Sequence, residues 1–142
     1  MTLEAIYTAE STATGGGRDG HVTSSDGRLD LDTRPPKEMG GSGAGTNPEQ
    51  LFAAGYAACF LGALRLVAGR TKVTLPDATS VTARIGIGRT ADGGFGLTGK
   101  VVSSLPGLDQ KAADDLVHQA HQVCPYSTAT RGNVDVDVSA QV

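Results

Sequence analysis

The sequence predicts an α+β fold. Two observations carry it: stretches in which apolar and polar residues alternate with a period of two, and two stretches bearing helix signals, in the order βββ-α-ββ-α-β. Runs of strands set apart from helices in this way specify antiparallel sheets with two main helices packed on them, rather than the alternating β-α units of a parallel sheet.

The alternation is plainest at Val81, Ala83, Ile85 and Ile87 against Thr82, Arg84, Gly86 and Gly88, and at Val134, Val136, Val138 and Ala140 against Asp135, Asp137, Ser139 and Gln141. Each stretch has one packed face and one wet face. Ala91-Asp92-Gly93-Gly94 has the turn chemistry of a hairpin and joins the first of them to residues 95–102. Towards the N-terminus, residues 3–12, 20–25 and 28–33 predict a three-stranded meander with Asp26-Gly27 at one turn.

The first helix announces its start. Asn47 is a good N-cap, Pro48 suits the first helical position, and Glu49 sits where a carboxylate complements the helix dipole. From residue 51 to residue 64 no side chain is charged, and small residues recur around the whole circumference, which predicts a helix buried on every side. That uncharged run is too short for a membrane span. The second helix, over about residues 109–123, is amphipathic: Ala113, Val117, Ala120 and Cys124 share one face, and Asp114, Asp115, Gln119 and Gln122 face water. One small sheet cannot cover a helix that is apolar all round. A second protomer is the expected cover, giving an intertwined homodimer with the first helix at or near its interface.

The 142 residues amount to a single domain, 1–142. A net charge of −3 with both signs interspersed provides no footprint for nucleic acid or an anionic membrane. The opening Met1-Thr2-Leu3-Glu4 has neither a basic nor an apolar leader, so a cytoplasmic location is expected. There a pair of cysteines rests as thiols, and a disulfide between them is transient and catalytic.

The chain has two cysteines, each inside a distinctive segment: Asn47-Pro48-Glu49-Gln50-Leu51-Phe52 leading to Ala57-Ala58-Cys59-Phe60, and Val123-Cys124-Pro125-Tyr126-Ser127 closing with Ala129-Thr130-Arg131-Gly132-Asn133. Together with Gly16-Gly17-Arg18-Asp19-Gly20-His21 they resemble, nearly end to end, the organic hydroperoxide resistance (Ohr) branch of the Ohr/OsmC superfamily. Thr128 stands where that branch usually has Asn. The resemblance implies a cysteine-based, metal-free and cofactor-free peroxidase that reduces fatty-acid or other alkyl hydroperoxides to alcohols. It implies Cys59 as the peroxidatic thiolate, Cys124 as the resolving thiol, Arg18 with Glu49 as the activating charged pair, and a dihydrolipoyl group on a lipoylated protein as reductant.

Physical chemistry agrees with these roles. Only a thiolate attacks the O–O bond, and an apolar helix drives Cys59 towards the neutral thiol, so a fixed cation must reverse the shift. Arginine keeps its charge, and a carboxylate can hold its guanidinium in place. Phe52, Tyr56 and Phe60 with their small neighbours favour an apolar cavity for bulky substrates. Glu49 and Cys59 lie ten residues apart on one predicted helix, roughly 15 Å along its axis and about 80° around it. Either Arg18 bridges that gap within one chain or, the favoured arrangement, Arg18 and Glu49 of one protomer complete the site of the other.

Other features read more simply. His118, His121 and Cys124 fall on different parts of the helix circumference with no fourth ligand nearby, and the histidines read as solvated rather than metal-binding. Residues 40–45, rich in glycine, lack the Lys-Ser/Thr of a phosphate loop and read as a flexible lid or connector. Tyr126 reads equally as pocket lining or packed core. Two other functions compete: a broader OsmC-type peroxidase, and a non-catalytic module holding apolar ligands at the dimer interface. Loss of two thiols with an alkyl hydroperoxide, regained with dihydrolipoamide, separates the peroxidases from the binding module.

Overall fold

Three strands, β1 (Ser11–Gly15), β2 (Gly20–Ser24) and β3 (Asp30–Thr33), form an antiparallel meander in the computed structural model, which describes residues 2–142. Its register sets Ala13 opposite Val22 and Val22 opposite Leu31. The turn at Asp26-Gly27 is where the sequence places it: Gly27 has φ 74°, and Asp26 accepts hydrogen bonds from the Ser24 hydroxyl and the Arg28 N–H. The first strand differs from expectation. Residues 3–10 are not in a strand, and Leu3, Ile6 and Tyr7 stand exposed, since no strand among the described residues pairs with them beyond the length of β2.

The chain divides into two compact units, the first ending at Leu51 and the second Phe52–Val142. In the second, β4 (Ser80–Arg89) and β5 (Phe95–Ser104) form the expected hairpin, with Gly93 at φ 88° in its turn. Beyond β5 come α2 (Gln110–Val123), α3 (Pro125–Thr130) and β6 (Val136–Gln141). β6 pairs with β5 in parallel, so the expectation of purely antiparallel sheets fails at this ladder. The reason is connectivity: the chain passes through α2 and α3 before rejoining the sheet, and such a crossover returns a strand in the same direction. The third helix follows Cys124, with Pro125 at its first position.

α1 (Pro48–Thr71) begins as the sequence dictates, the Asn47 Oδ1 accepting from the Gln50 N–H at 2.8 Å. It runs past the uncharged stretch, through Arg65 and Arg70. At 24 residues the whole helix is long and apolar enough, by length and composition, to cross a membrane, a test that the core helix of a folded domain also passes. One stripe of it is core: Tyr56, Phe60, Ala63, Leu64, Val67 and Ala68 are buried with Val101 and Leu105 of strand β5 and its end, and with Ala113, Leu116, Val117 and Ala120 of α2. The expectation of burial on every side fails within one chain, because Ala54, Ala58, Gly62 and Leu66, four apart along one ridge, remain exposed. Asp109 caps α2 through the Ala112 N–H, and the face predicted to be wet is exposed.

Candidate active site

Arg18 is carried by the turn between β1 and β2. Gly15 and Gly17 adopt φ of 69° and 76°, and a Cβ at Gly20 would meet the Thr14 carbonyl oxygen at 2.1 Å, so glycine is required where the two strands close. Buried Thr33 braces this turn from β3: its Oγ1 accepts from the Gly20 N–H at 2.9 Å and donates to the Gly17 carbonyl at 2.6 Å. Arg34 Nη1 donates to the Gly20 and Thr33 carbonyls, and its Nε lies 3.5 Å from Asp19. Neither Thr33 nor Arg34 is legible as a site residue in the sequence; their role comes from β3 lying beside β2.

On that braced turn, Arg18 meets Glu49 in a two-pronged ion pair, Nη1 to Oε2 at 3.0 Å and Nη2 to Oε1 at 2.8 Å. The Glu49 side chain is 13% exposed and that of Arg18 42%, so one end of the pair is sheltered and the guanidinium is partly open. The Arg18 hydrogen bonds hold the Glu49 carboxyl below the usual carboxylate range, against the opposing effect of burial. The loop leading from β3 to α1 is folded rather than a free lid: Gly41 and Gly43 donate backbone N–H groups to the Pro36 and Pro35 carbonyls, and a Cβ at Gly41 would meet Pro35 at 2.1 Å.

In the second unit Cys59, on α1, and Cys124, at the joint between α2 and α3, face one another. Their sulfurs are 3.5 Å apart and both are free thiols, Cys124 fully buried and Cys59 partly so. Burial pushes the Cys59 thiol above its ordinary range, the neighbouring Cys124 adds to this, and a hydrogen bond from the Tyr126 backbone opposes it. Phe52, Tyr56 and Tyr126 form an aromatic group with ring centroids 5.8 to 6.3 Å apart. Gly55 lies beneath the Tyr126 ring, where a Cβ would approach its hydroxyl to 2.9 Å. Tyr126 is 40% exposed, whereas Tyr56 and Phe60, expected as cavity walls, are wholly buried core residues. They are core because they share the α1 stripe that α2 and β5 cover.

A polar network lies beside the thiols. The Ser127 hydroxyl is 2.8 Å from both the Tyr56 hydroxyl and His121 Nδ1, and Tyr56 is 3.3 Å from the Thr130 hydroxyl. His121 is therefore not the solvated side chain its sequence position suggests; burial first, then Arg131 and His118, hold it below the ordinary histidine range. Position within a motif is the signal for Ser127 and Thr130, since neither residue type alone marks a site. Among the described residues no cluster of three or more His, Cys, Asp or Glu side chains is arranged to hold a metal ion.

Residues 40–139 match the family model described as OsmC-like protein. The chain belongs to the OsmC family. Within it, the chain is 52% identical over 137 residues to the organic hydroperoxide resistance protein of Xanthomonas axonopodis pv. citri, covering 96% of this chain and 95% of that one. It is 47% identical over 133 residues to the organic hydroperoxide resistance protein OhrB of Bacillus subtilis, covering 93% and 96%. A crystal structure of an organic hydroperoxide resistance protein OsmC from Legionella pneumophila superposes with a TM-score of 0.91 at 50% identity, covering 98% of this chain and all of that one. Such likeness across nearly whole chains puts this OsmC protein in the Ohr branch, as its motifs imply.

Proposed function

We propose that this protein is a thiol peroxidase that reduces organic hydroperoxides to alcohols. The observation that carries the proposal is the pair of free thiols, Cys59 and Cys124, at 3.5 Å in largely apolar surroundings. Names of its relatives supply the substrate class.

The Cys59 thiolate attacks the distal peroxide oxygen, the O–O bond breaks, and the departing alkoxide takes a proton to leave as alcohol. Cys59 is then a sulfenic acid. The Cys124 sulfur attacks it, the S–O bond breaks, and the hydroxyl leaves with the Cys124 proton as water, forming a Cys59–Cys124 disulfide. A dihydrolipoyl group, an apolar dithiol suited to apolar surroundings, returns both cysteines to thiols by exchange. Such a cycle runs in a reducing compartment, which the cytoplasm provides.

Attack requires a thiolate, and burial works against it at Cys59. The Arg18 guanidinium, held by Glu49, is the cation we assign to that task and to the developing charge on the leaving oxygen. We assign the protein to a homodimer in which Arg18 and Glu49 of one protomer serve the thiols of the other. Support comes from the open Ala54, Ala58, Gly62, Leu66 ridge on an apolar helix and from exposed Leu3, Ile6, Leu29 and Leu31.

Thiol counting under denaturing conditions tests the reading. One equivalent of cumene hydroperoxide should remove both thiols, leave a product lighter by two hydrogens, and be reversed by dihydrolipoamide. Retention of both thiols after exposure to hydroperoxide would exclude the peroxidase.

A further inference from the structure

Tyr56 precedes Cys59 by three residues on α1, and Ser127 follows Cys124 by three, within α3. The 2.8 Å contact between the Tyr56 and Ser127 hydroxyls and the 3.5 Å contact between the sulfurs are thus neighbouring rungs between the same two parts of the chain. Cys124 itself is the joint, ending α2 and opening α3 with φ −67° and ψ 121°. Helix α3 has six residues, too few to hold a position by its own hydrogen bonds, so the place of the Cys124 sulfur depends on what anchors α3.

Its anchors are Ser127 and Thr130, 0% and 4% exposed, on the buried hydroxyl of Tyr56. Each hydroxyl has one proton to give, and donor accounting fixes the direction. Thr130 donates to the Ser127 carbonyl at 3.1 Å, so Tyr56 donates to Thr130, Ser127 donates to Tyr56, and His121 Nδ1–H donates to Ser127. The reverse direction, with Ser127 donating to His121, leaves one of the four contacts without a proton. His121 Nε2 is then the unprotonated nitrogen of the neutral ring, and His121 lines a groove of ≈ 440 Å³ with Asp114, Asp115, His118 and Ser139. Arg131 closes the arrangement by donating to the His121 carbonyl at 2.6 Å.

Building on the peroxidase reading above, we propose that this directed chain, His121 to Ser127 to Tyr56 to Thr130, is the positioning clamp that keeps Cys124 within reach of Cys59 and so governs closure of the disulfide. Closing the disulfide takes the sulfurs from 3.5 Å to a bond of about 2.05 Å. A travel of that size leaves α3 in place. Removing one hydroxyl leaves its buried partners short of a bond and frees α3 to move away, lowering the effective concentration of one thiol at the other.

The test measures the dithiol–disulfide equilibrium of the whole protein against reduced and oxidised dithiothreitol, read by alkylation and mass, beside the rate of closure after hydroperoxide. Tyr56→Phe and Ser127→Ala, each deleting a hydroxyl, should lower the equilibrium constant for the disulfide about tenfold, or about 30 mV, and slow closure by a similar factor. Sulfenate formation at Cys59, measured with Cys124→Ser also present, should change by less than about twofold. Combining the two hydroxyl deletions should add little to either alone, because they break one chain. Wild-type equilibrium constants in both variants would overturn the clamp, and so would equal losses in sulfenate formation and closure with a matching fall in Tm. The dithiothreitol arm needs no peroxide: a wild-type protein that forms the disulfide there but not with hydroperoxide refutes the peroxidase reading, while the clamp stands or falls on the two variants.

Discussion

The Cys59 and Cys124 sulfurs lie in contact as thiols at 3.5 Å, 65 positions apart in sequence, one on the long helix and the other at a joint between two helices. Nothing holds them together covalently, so the contact is maintained by the surrounding core and is available for chemistry.

Separate roles for the two thiols predict separate phenotypes. Cys59→Ser should lose hydroperoxide reduction entirely, because a serine hydroxyl is not ionised at neutral pH and attacks peroxide poorly. Cys124→Ser should reduce one equivalent and stop, accumulating Cys59 sulfenic and then sulfinic acid, visible as gains of one and two oxygens by mass. Steady turnover of Cys124→Ser with a dithiol at the wild-type rate would mean that an external thiol, not Cys124, resolves the sulfenate.

The Arg18–Glu49 pair predicts a signed pH dependence. Arg18 holds the folded Glu49 carboxyl below its unfolded value, so the pair's contribution is present above the unfolded carboxylate range and is lost as pH falls through the lowered folded value. In Arg18→Ala, Glu49 should titrate at higher pH than in wild type, as followed by carboxyl NMR shifts. Cys59 should then alkylate with iodoacetamide more slowly at neutral pH. An unchanged thiol profile would remove Arg18 from activation, whatever happens to Glu49.

His21 carries a dependence of opposite sign. Its Nδ1 is 2.8 Å from Asp32 and its Nε2 2.5 Å from Asp30, and hydrogen bonds to these two carboxylates, Asp32 first, raise it above the ordinary histidine value. The resulting stability is complete below the unfolded histidine value and fades as pH rises through the higher folded one. NMR should find His21 titrating above 6.5, and His21→Asn should flatten denaturant midpoints across that window. A wild-type titration at or below that value would show that the two carboxylates do not act on it.

The fold was legible where a local signal coincides with a tertiary demand. Asn47-Pro48 starts α1 and Gly93 turns the β4–β5 hairpin, because each residue has a backbone duty that no partner supplies. The parallel β6 was not legible, since alternation in Val136 and Val138 reads alike in either direction and only the route through α2 and α3 decides. Similarly, the sequence motifs single out the four proposed site residues, while Thr33, Arg34, Ser127 and His121 acquire partners only through folding. Tyr56 shows the limit most sharply: its composition-level reading is an aromatic wall, and its place is a buried hydroxyl beside the thiols.

A site shared between protomers makes a prediction that a site within one chain does not. Glu49 and Cys59 are ten residues apart along α1, a separation of roughly 15 Å for a regular helix, more than one side chain spans. If Arg18 and Glu49 of one protomer serve Cys59 of the other, a Cys59→Ser chain and an Arg18→Ala chain, each inactive alone, complement one another. In the mixed dimer one site has Cys59 from the Arg18→Ala chain and Arg18 from the Cys59→Ser chain, so it is wholly wild type, and the other site carries both defects. Random exchange of equal amounts makes about half the dimers mixed, each with one of two sites intact, so activity should rise from near zero to about a quarter of wild type. Native mass spectrometry confirms the exchange independently of activity. Mixed dimers without recovered activity would place Arg18, Glu49 and both thiols of a working site in one chain and defeat the shared site.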